Sequence, residues 1–177
     1  MSQFPPGVRA AQAVGLTGAA FLAGNISTYT LSAIPALQVS LSSSPSPSTT
    51  TIAKQWRDMY NTGKAQNPPI ALLTASAFGY LAWTAHSGKS AALDVLSPKN
   101  ATWLYSAAAV VTVAIVPWTL MAMGSVNSAL SGVAEGVGAN AEKRGDEVDE
   151  LLNRWKVLNG IRGVMPFVGA VLGFLAI

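Results

Sequence analysis

Three long windows of this sequence contain no charged side chain, and they limit the folds open to the chain more than any other feature. Asp, Glu, Lys and Arg are absent from residues 10–53, 65–88 and 100–134. Each window exceeds the roughly 20 residues that a helix needs to cross a bilayer. Soluble domains carry about 25% charged residues, whereas this chain carries 11%. The alternative is a soluble all-helical protein with a very apolar core, but the length of the windows favours a membrane protein.

Together with the apolar C-terminus, these windows predict an all-α fold: an integral membrane four-helix bundle with short amphipathic helices in its loops. Residues 1–177 would form one domain with four spans, at about residues 8–39, 70–85, 102–127 and 160–177. Pro35 would kink the first span or mark its exit, and Pro117 would kink the third. Pro68 and Pro69 would open the second span, where missing amide donors cost little.

A solvated linker and a short interfacial helix are predicted between the first two spans. Residues 42–51, SSSPSPSTTT, form a low-complexity segment typical of a mobile linker. In the segment that follows, residues 52–63, the side chains of Ile52, Trp56 and Tyr60 share one helical face. This face would lie at the lipid headgroups, where Trp and Tyr are enriched.

The basic residues predict the orientation of the spans. With four spans, both termini lie on the same side of the membrane as the loop that contains Lys89 and Lys99. The other two loops contain most of the basic side chains: Lys54, Arg57, Lys64, Lys143, Arg144, Arg154 and Lys156. Basic loops stay in the cytosol, so we expect lumenal termini, in the endoplasmic reticulum or another endomembrane. The formal charge of +3 makes membrane lipid an expected partner.

Several classes of chemistry are excluded by residue types and motifs that the sequence lacks. The absence of cysteine removes disulfides, thiolate catalysis and iron–sulfur clusters. His86 is the single histidine and has no H-x-x-x-H or E-x-x-H companion, so no metal site is expected. No phosphate-binding glycine loop occurs, and no basic cluster is interleaved with aromatics, which counts against nucleotide cofactors and nucleic acid. His86 is typical of a polar cap at a span terminus; the functional alternative is a group that titrates near neutrality.

One helical stripe leads from the last charged segment into the C-terminal apolar segment. At 3.6 residues per turn, the stripe contains Val148, Leu151, Trp155, Asn159 and Arg162. Fifteen uncharged residues follow the arginine and would extend about 23 Å, less than the roughly 30 Å of a hydrocarbon core. The guanidinium would therefore lie at the membrane edge or slightly inside it. A charge at that depth indicates a functional site by default.

Polar and aromatic residues of three other segments are expected at the same membrane face. Trp56 and Tyr60 follow the first span, and Asn127 ends the third. Asn25 and Thr28 would lie deeper in the first span. Together with the stripe, these residues would form a pocket with aromatic walls for a flat ligand, amides that orient oxygen atoms and one cation that stabilises an anion.

Four stretches of the sequence resemble a known family. They are FLAGNISTYTLSAIPAL, QWRDMYNTGKAQNPP, IVPWTLMAMGSVNSAL and VDELLNRWKVLNGIRGVMPFVGAVLG. The chain is similar over nearly its whole length to the DUF1772 family, whose characterised fungal members are anthrone oxygenases of aromatic polyketide pathways. The most specific part is the W-x-x-L-N-x-x-R pattern of residues 155–162.

The resemblance implies oxidation of an anthrone, similar to emodin anthrone, to the anthraquinone by O2 as co-substrate, without metal, flavin or nicotinamide. An anthrolate would pass an electron to O2, and a peroxide would lose water. Arg162 and Asn159 would stabilise the enolate charge, while Asn127 or Tyr60 would bind the oxygen or peroxide. The ring system would lie against substrate-binding residues, which are Trp155, Trp56, Asn25 and Thr28.

Two questions stay open at the level of sequence: the identity of the base and the class of function. The base would be Tyr60, Asp58, His86 or a phenolate of the substrate itself, and His86 is expected at the opposite membrane face. A non-catalytic scaffold for pathway enzymes would use the tryptophans as interface anchors and the arginine as a phosphate partner. A binding protein for a lipid or quinone is a third class. Self-association into a homo-oligomer is compatible with each of them.

Overall fold

The computed structural model describes residues 4–87, 98–136 and 145–177, and within these ranges every regular element is helical and no strand occurs. The elements are α1 (Pro6–Thr28), a π-helix (Tyr29–Ala33), α2 (Ile34–Leu41), α3 (Thr49–His86), α4 (Ala101–Val113), α5 (Ile115–Met121), α6 (Gly124–Glu135) and α7 (Gly145–Leu175). The all-α prediction is confirmed for this part of the chain. Lys89, Lys143 and Arg144, which entered the orientation argument, lie outside the described residues.

The first predicted span is helical from α1 to the end of α2 and passes through Pro35. Pro35 lies in the first turn of α2, directly after the π-helix. A proline has no N–H and its ring crowds the preceding turn. The wider π turn accommodates this, because the Ile34 N–H bonds to the carbonyl of Tyr29, five residues earlier. The helix therefore continues beyond Pro35 for six more residues.

The predicted separation of an interfacial helix from a second span is wrong, because α3 is one helix of 38 residues. It begins after a shorter linker than expected, where Ser48 Oγ accepts a hydrogen bond of 3.1 Å from the Thr51 N–H and caps the first turn. Pro68 and Pro69 lie inside the helix. The local cost of two prolines is outweighed by tertiary packing on both sides, where Trp56 and Phe78 are fully buried.

The third predicted span is interrupted as its proline indicates. Helix α4 ends at Val113, and α5 begins at Ile115, two residues before Pro117. Pro117 cannot donate to the Val113 carbonyl, which explains why the helix is interrupted at Ala114, close to the position of the predicted kink. A second interruption precedes α6, which ends at Glu135 and is followed by Gly136 with a left-handed φ of 66°. Glycine adopts this helix-terminating conformation without steric cost.

Among the described residues, two helical stretches are long and apolar enough to cross a membrane: Ala101–Met121, with 21 residues and a mean hydropathy of 1.8, and Gly145–Leu175, with 31 residues and a mean hydropathy of 1.5. The second stretch is α7. It runs from the charged segment into the C-terminal apolar segment without a break, as the stripe requires.

The chain divides into two compact units. The first consists of Met1–Gly24, Asn67–Val116 and Gly163–Ile177. Its helices pack closely around Phe78, since a Cβ at Gly15 would lie 2.7 Å from Phe78 Cε1 and one at Gly173 would lie 2.5 Å from the same atom. The buried apolar residues of this core are Val8, Ala19, Phe78, Leu81, Ala82, Ala101, Tyr105, Ala108 and Ala176.

The second unit consists of Asn25–Gln66 and Pro117–Arg162. It has a core of its own, in which the two buried aromatic residues are both tryptophans. The buried apolar residues are Ile34, Ile52, Ala53, Trp56, Met123, Val126, Leu130, Val133, Ala134, Val148, Leu152 and Trp155. Most residues that the sequence nominates for function belong to this unit.

Candidate active site

The buried face of the first half of α7 carries the predicted stripe. Val148, Trp155, Asn159 and Arg162 are all buried, and Leu152 is the fully buried leucine, whereas Leu151 is only partly buried. These positions recur every three or four residues, the spacing of one helical face. The amide of Asn159 and the guanidinium of Arg162 therefore lie on the two helical turns that follow Trp155, within the second unit.

Four residues from three helices of this unit form an aromatic cluster, which consists of Trp56, Tyr60, Asn127 and Trp155. The rings of Trp56 and Tyr60 are stacked on consecutive turns of α3, with centroids 5.1 Å apart and an interplanar angle of 7°. Trp155 meets Trp56 edge to face at 6.1 Å. Its Nε1–H donates to Asn127 Oδ1 at 3.0 Å, and Asn127 Nδ2 donates to the Tyr60 hydroxyl at 3.4 Å.

Arg162 is a buried cation without an acidic partner among the described residues. Its exposed fraction is 6%, and Nη1 donates to Thr119 Oγ1 at 3.1 Å. Nε has no hydrogen-bond partner in this part of the chain. Tyr60 and Tyr29 interact electrostatically with the guanidinium. A buried guanidinium with an unpaired N–H can stabilise an oxyanion strongly, because little water screens its field.

Asn159 is held by both hydrogens of its amide nitrogen. Nδ2 donates to the carbonyl of Ile26 at 2.9 Å and to Thr30 Oγ1 at 2.8 Å. Because a carbonyl oxygen only accepts, the bond to Ile26 fixes which side of the amide is nitrogen. The other side, Oδ1, is buried and has no partner among the described residues. Thr30 lies in the π-helix, a form that is frequent at functional sites.

The remaining candidates are less buried than Asn159 and Arg162. Asn25 is half-buried in α1, and Thr28 is exposed at the end of the same helix. Asp58 is exposed on α3. His86 is exposed at the last position of α3 and belongs to the first unit, whereas the aromatic cluster belongs to the second. Of the residues considered as bases, Tyr60 is therefore the one that the structure joins to the aromatic cluster.

Residues that the sequence did not nominate also contribute. Tyr29 and Thr30 belong to the polar centre of the first predicted span, so composition gave a signal for them. Trp118 Nε1 donates to the carbonyl of Leu158 at 3.2 Å, which ties α5 to α7. Thr119 gave no signal beyond being an isolated polar residue in an apolar window.

Within the described ranges, no group of three His, Cys, Asp or Glu side chains is placed to hold a metal ion.

Comparison with known proteins gives a family for this arrangement. Residues 56–172 match the family model described as anthrone oxygenase. An anthrone oxygenase of Aspergillus fumigatus is 36% identical over 174 residues, which cover 92% of this chain and 90% of the relative. A noranthrone monooxygenase of Aspergillus flavus is 32% identical and covers 92% of this chain and 70% of the relative. An anthrone oxygenase of Paecilomyces divaricatus is 30% identical and covers 93% of both chains.

No solved structure shows significant similarity to the chain. The matched region includes the whole aromatic cluster together with Asn159 and Arg162, so the resemblance drawn from the W-x-x-L-N-x-x-R pattern is confirmed. The family match covers more than half of the chain, and the relatives above are oxygenases by name along nearly all of its length. This chain is therefore an oxygenase that belongs to the anthrone oxygenase family.

Proposed function

We propose that this chain converts a polyketide anthrone, similar to emodin anthrone, and O2 to the anthraquinone and water without metal, flavin or nicotinamide. The central CH2 of the anthrone loses one proton, and the resulting anthrolate passes one electron to O2. The carbon radical and superoxide then join to form a peroxide at that carbon. Cleavage of the O–O bond and loss of the second C–H proton give the ketone and water. Both oxygen atoms and all electrons are supplied by O2 and the substrate.

The observation that carries this proposal is the buried Arg162 guanidinium, which lies beside phenols and has no carboxylate partner among the described residues. The anthrolate has its negative charge on the ketone oxygen. An unpaired N–H of a fixed cation stabilises such a charge most where water is excluded. The cation favours the ionised substrate over the neutral one, and it thereby promotes the step that makes the carbon able to reduce O2.

We assign the base to Tyr60. Its hydroxyl accepts a hydrogen bond from Asn127 at 3.4 Å and interacts electrostatically with Arg162, so it is linked both to the aromatic cluster and to the buried cation. The exposed carboxylate of Asp58 and the exposed His86 of the other unit have less support. The proton taken by Tyr60 would return to the peroxide, which Asn127 and Tyr60 would bind.

Trp56 and Trp155 are proposed to flank the flat ring system of the substrate. Trp56 stacks on Tyr60 and meets Trp155 edge to face, so the rings form an aromatic surface of the kind that packs against a flat ligand. Asn25, half-buried in α1, and Thr28 are proposed to contact the substrate from the first helix.

We further propose that four helical stretches cross the membrane, the two named above together with α1 and the apolar half of α3. Large apolar side chains are exposed on all four of them, which supports contact with lipid. They include Phe21, Leu72, Leu73, Trp103, Val110, Leu120, Phe167 and Phe174. Lumenal termini in an endomembrane predict that terminal tags are protected from protease in sealed microsomes, and digestion without detergent would overturn this orientation.

The activity is tested with the purified chain in detergent or nanodiscs, supplied with anthrone and O2 in the presence of a chelator and without added cofactor. We expect anthraquinone formation well above the spontaneous rate, with one atom of labelled O2 in the product. No acceleration over spontaneous oxidation would overturn the proposal and favour the scaffold. Tight binding of a quinone without turnover would favour the ligand-binding alternative.

A further inference from the structure

Two polar atoms on successive turns of α7 lack a partner among the described residues: Asn159 Oδ1 and Arg162 Nε. The first is a hydrogen-bond acceptor and the second a donor. Residues three apart lie on the same helical face, and both side chains are buried, at 0% and 6% exposure. The pair therefore offers one acceptor and one donor on the same face of α7.

The amide of Asn159 cannot act as a second donor to an anion. Its two N–H groups are already bonded to Ile26 and Thr30, at 2.9 and 2.8 Å. A ligand oxyanion would have to displace one of these bonds. The amide oxygen, in contrast, has no hydrogen-bond partner among the described residues, and it can only accept. The resemblance implied that Asn159 shares the enolate charge with Arg162, whereas the hydrogen bonds support a different task for the amide.

We propose that Asn159 Oδ1 accepts a hydrogen bond from a hydroxyl group of the substrate, next to the ketone oxygen that receives the Arg162 Nε–H. This inference rests on the proposed function and deepens it. It restricts the substrate to aromatic ketones with a hydroxyl peri to the carbonyl, as at positions 1 and 8 of anthrone. Only these ketones present a hydrogen-bond acceptor and a hydrogen-bond donor next to each other. Asn159 is then a specificity-determining residue, and the reaction at the distant CH2 does not require it.

Another unpaired buried group of the same unit does not offer this recognition. Trp56 Nε1 also lacks a partner among the described residues, but an indole nitrogen only donates. It can bind a carbonyl or a peroxide oxygen, and it cannot accept a hydroxyl hydrogen. The Tyr60 and Thr30 hydroxyls already accept hydrogen bonds from Asn127 and Asn159. Asn159 Oδ1 is thus the best-placed acceptor.

The test compares two substrates that differ in the hydroxyl groups, 1,8-dihydroxyanthrone and unsubstituted anthrone, with each rate corrected for spontaneous oxidation. A buried acceptor left unpaired makes the wild type favour the hydroxylated substrate about ten- to hundredfold in KM. In Asn159→Leu, a substitution of similar volume, this preference should fall to about one. Equal KM values in the wild type, or an unchanged preference in the variant, would overturn the inference. If the wild type oxidises neither substrate, the proposed function itself fails.

A second measurement does not depend on turnover or on the stability of one variant. Binding of 1,8-dihydroxyanthraquinone and of anthraquinone is followed through quenching of tryptophan fluorescence, and we expect the same preference in Kd. Thr30→Val removes one of the two bonds to Nδ2 and leaves Oδ1 and the Ile26 bond in place, so it should keep the preference. A wild-type Kd ratio of one overturns the inference whatever the variants do.

Discussion

The two compact units of this protein differ in the charge of the polar groups that they bury. In the first unit these groups are neutral and serve packing: Gln12 donates to the hydroxyl of Tyr105 at 3.4 Å, and Thr84 bonds back to the carbonyl of Tyr80 at 2.8 Å. Thr112 packs against Gly169 of a neighbouring helix. Such pairs allow apolar helices to approach closely, which is how helices associate where lipid surrounds them.

The second unit buries a guanidinium and two asparagines next to an apolar core that includes two tryptophans. Buried polar atoms without a partner among the described residues occur in both units: the hydroxyls of Thr74 and Thr112 in the first, and atoms of Trp56, Asn159 and Arg162 in the second. Unpaired groups of this kind are costly to bury and are common where a ligand completes the bonding. The difference between the units lies in charge: the buried polar residues of the first are neutral, whereas the second buries the Arg162 guanidinium. Because a buried charge is costly, we expect the chemistry in the second unit.

The largest effect that this contrast predicts is on Arg162. Arg162→Ala removes the donor for the enolate oxygen, and we expect kcat for anthrone oxidation to fall by roughly 10²–10³-fold, the usual cost of one oxyanion donor. Initial rates of anthraquinone formation in microsomes measure it. The matched control is Tyr105→Phe, which removes the buried hydrogen bond of the first unit and should leave kcat within about twofold. Full turnover by Arg162→Ala would rule out the anion-stabilising role.

The next effect concerns the proposed base. Tyr60→Phe keeps the ring that stacks on Trp56 at 5.1 Å and removes only the hydroxyl. We expect kcat to fall by about 10²-fold, the lower range for loss of a general base, while KM changes little. Stopped-flow traces of anthraquinone formation would measure the fall in rate. A fall in substrate affinity with unchanged kcat would instead make Tyr60 a binding residue.

Periodicity along one helix was enough to predict the stripe on α7. A single helix fixes which side chains share a face, so the burial of Trp155, Asn159 and Arg162 follows from their spacing. The kink near Pro117 was predictable for the same reason, because a missing N–H acts on the turn beside it.

What could not be predicted depends on contacts between distant parts of the chain. The local signal of Pro68 and Pro69 indicated a helix start, but packing along α3 outweighs it. The bonds from Asn159 to Ile26 and from Arg162 to Thr119 join residues 133 and 43 positions apart. No periodicity relates such positions, and the engagement of both Asn159 N–H groups was therefore invisible in the sequence.

A smaller effect, on stability alone, is expected in the first unit. In Gly15→Ala the new Cβ would lie 2.7 Å from Phe78 Cε1, and such overpacking costs roughly 1–3 kcal/mol. We expect a lower Tm in nanodiscs and an unchanged kcat per folded molecule. The control is Gly24→Ala, where a Cβ meets nothing within 4 Å, so Tm should not fall. Equal Tm values for the two variants would contradict the close packing around Phe78.

The smallest predicted effect tests whether an arginine of the second unit must be buried to affect activity. Arg57 belongs to the same unit as Arg162, but it is partly exposed and its Nη1 lies 3.7 Å from Glu135 Oε1, where the two side chains are 30% and 57% exposed. Water screens such a pair, so Arg57→Ala should lower the free energy of unfolding by no more than about 0.5 kcal/mol and kcat by less than twofold. Chemical unfolding and the anthrone assay measure the two quantities. If Arg57→Ala lost as much activity as Arg162→Ala, the effect would follow from the net charge of the unit, and the buried position of Arg162 would not explain its role.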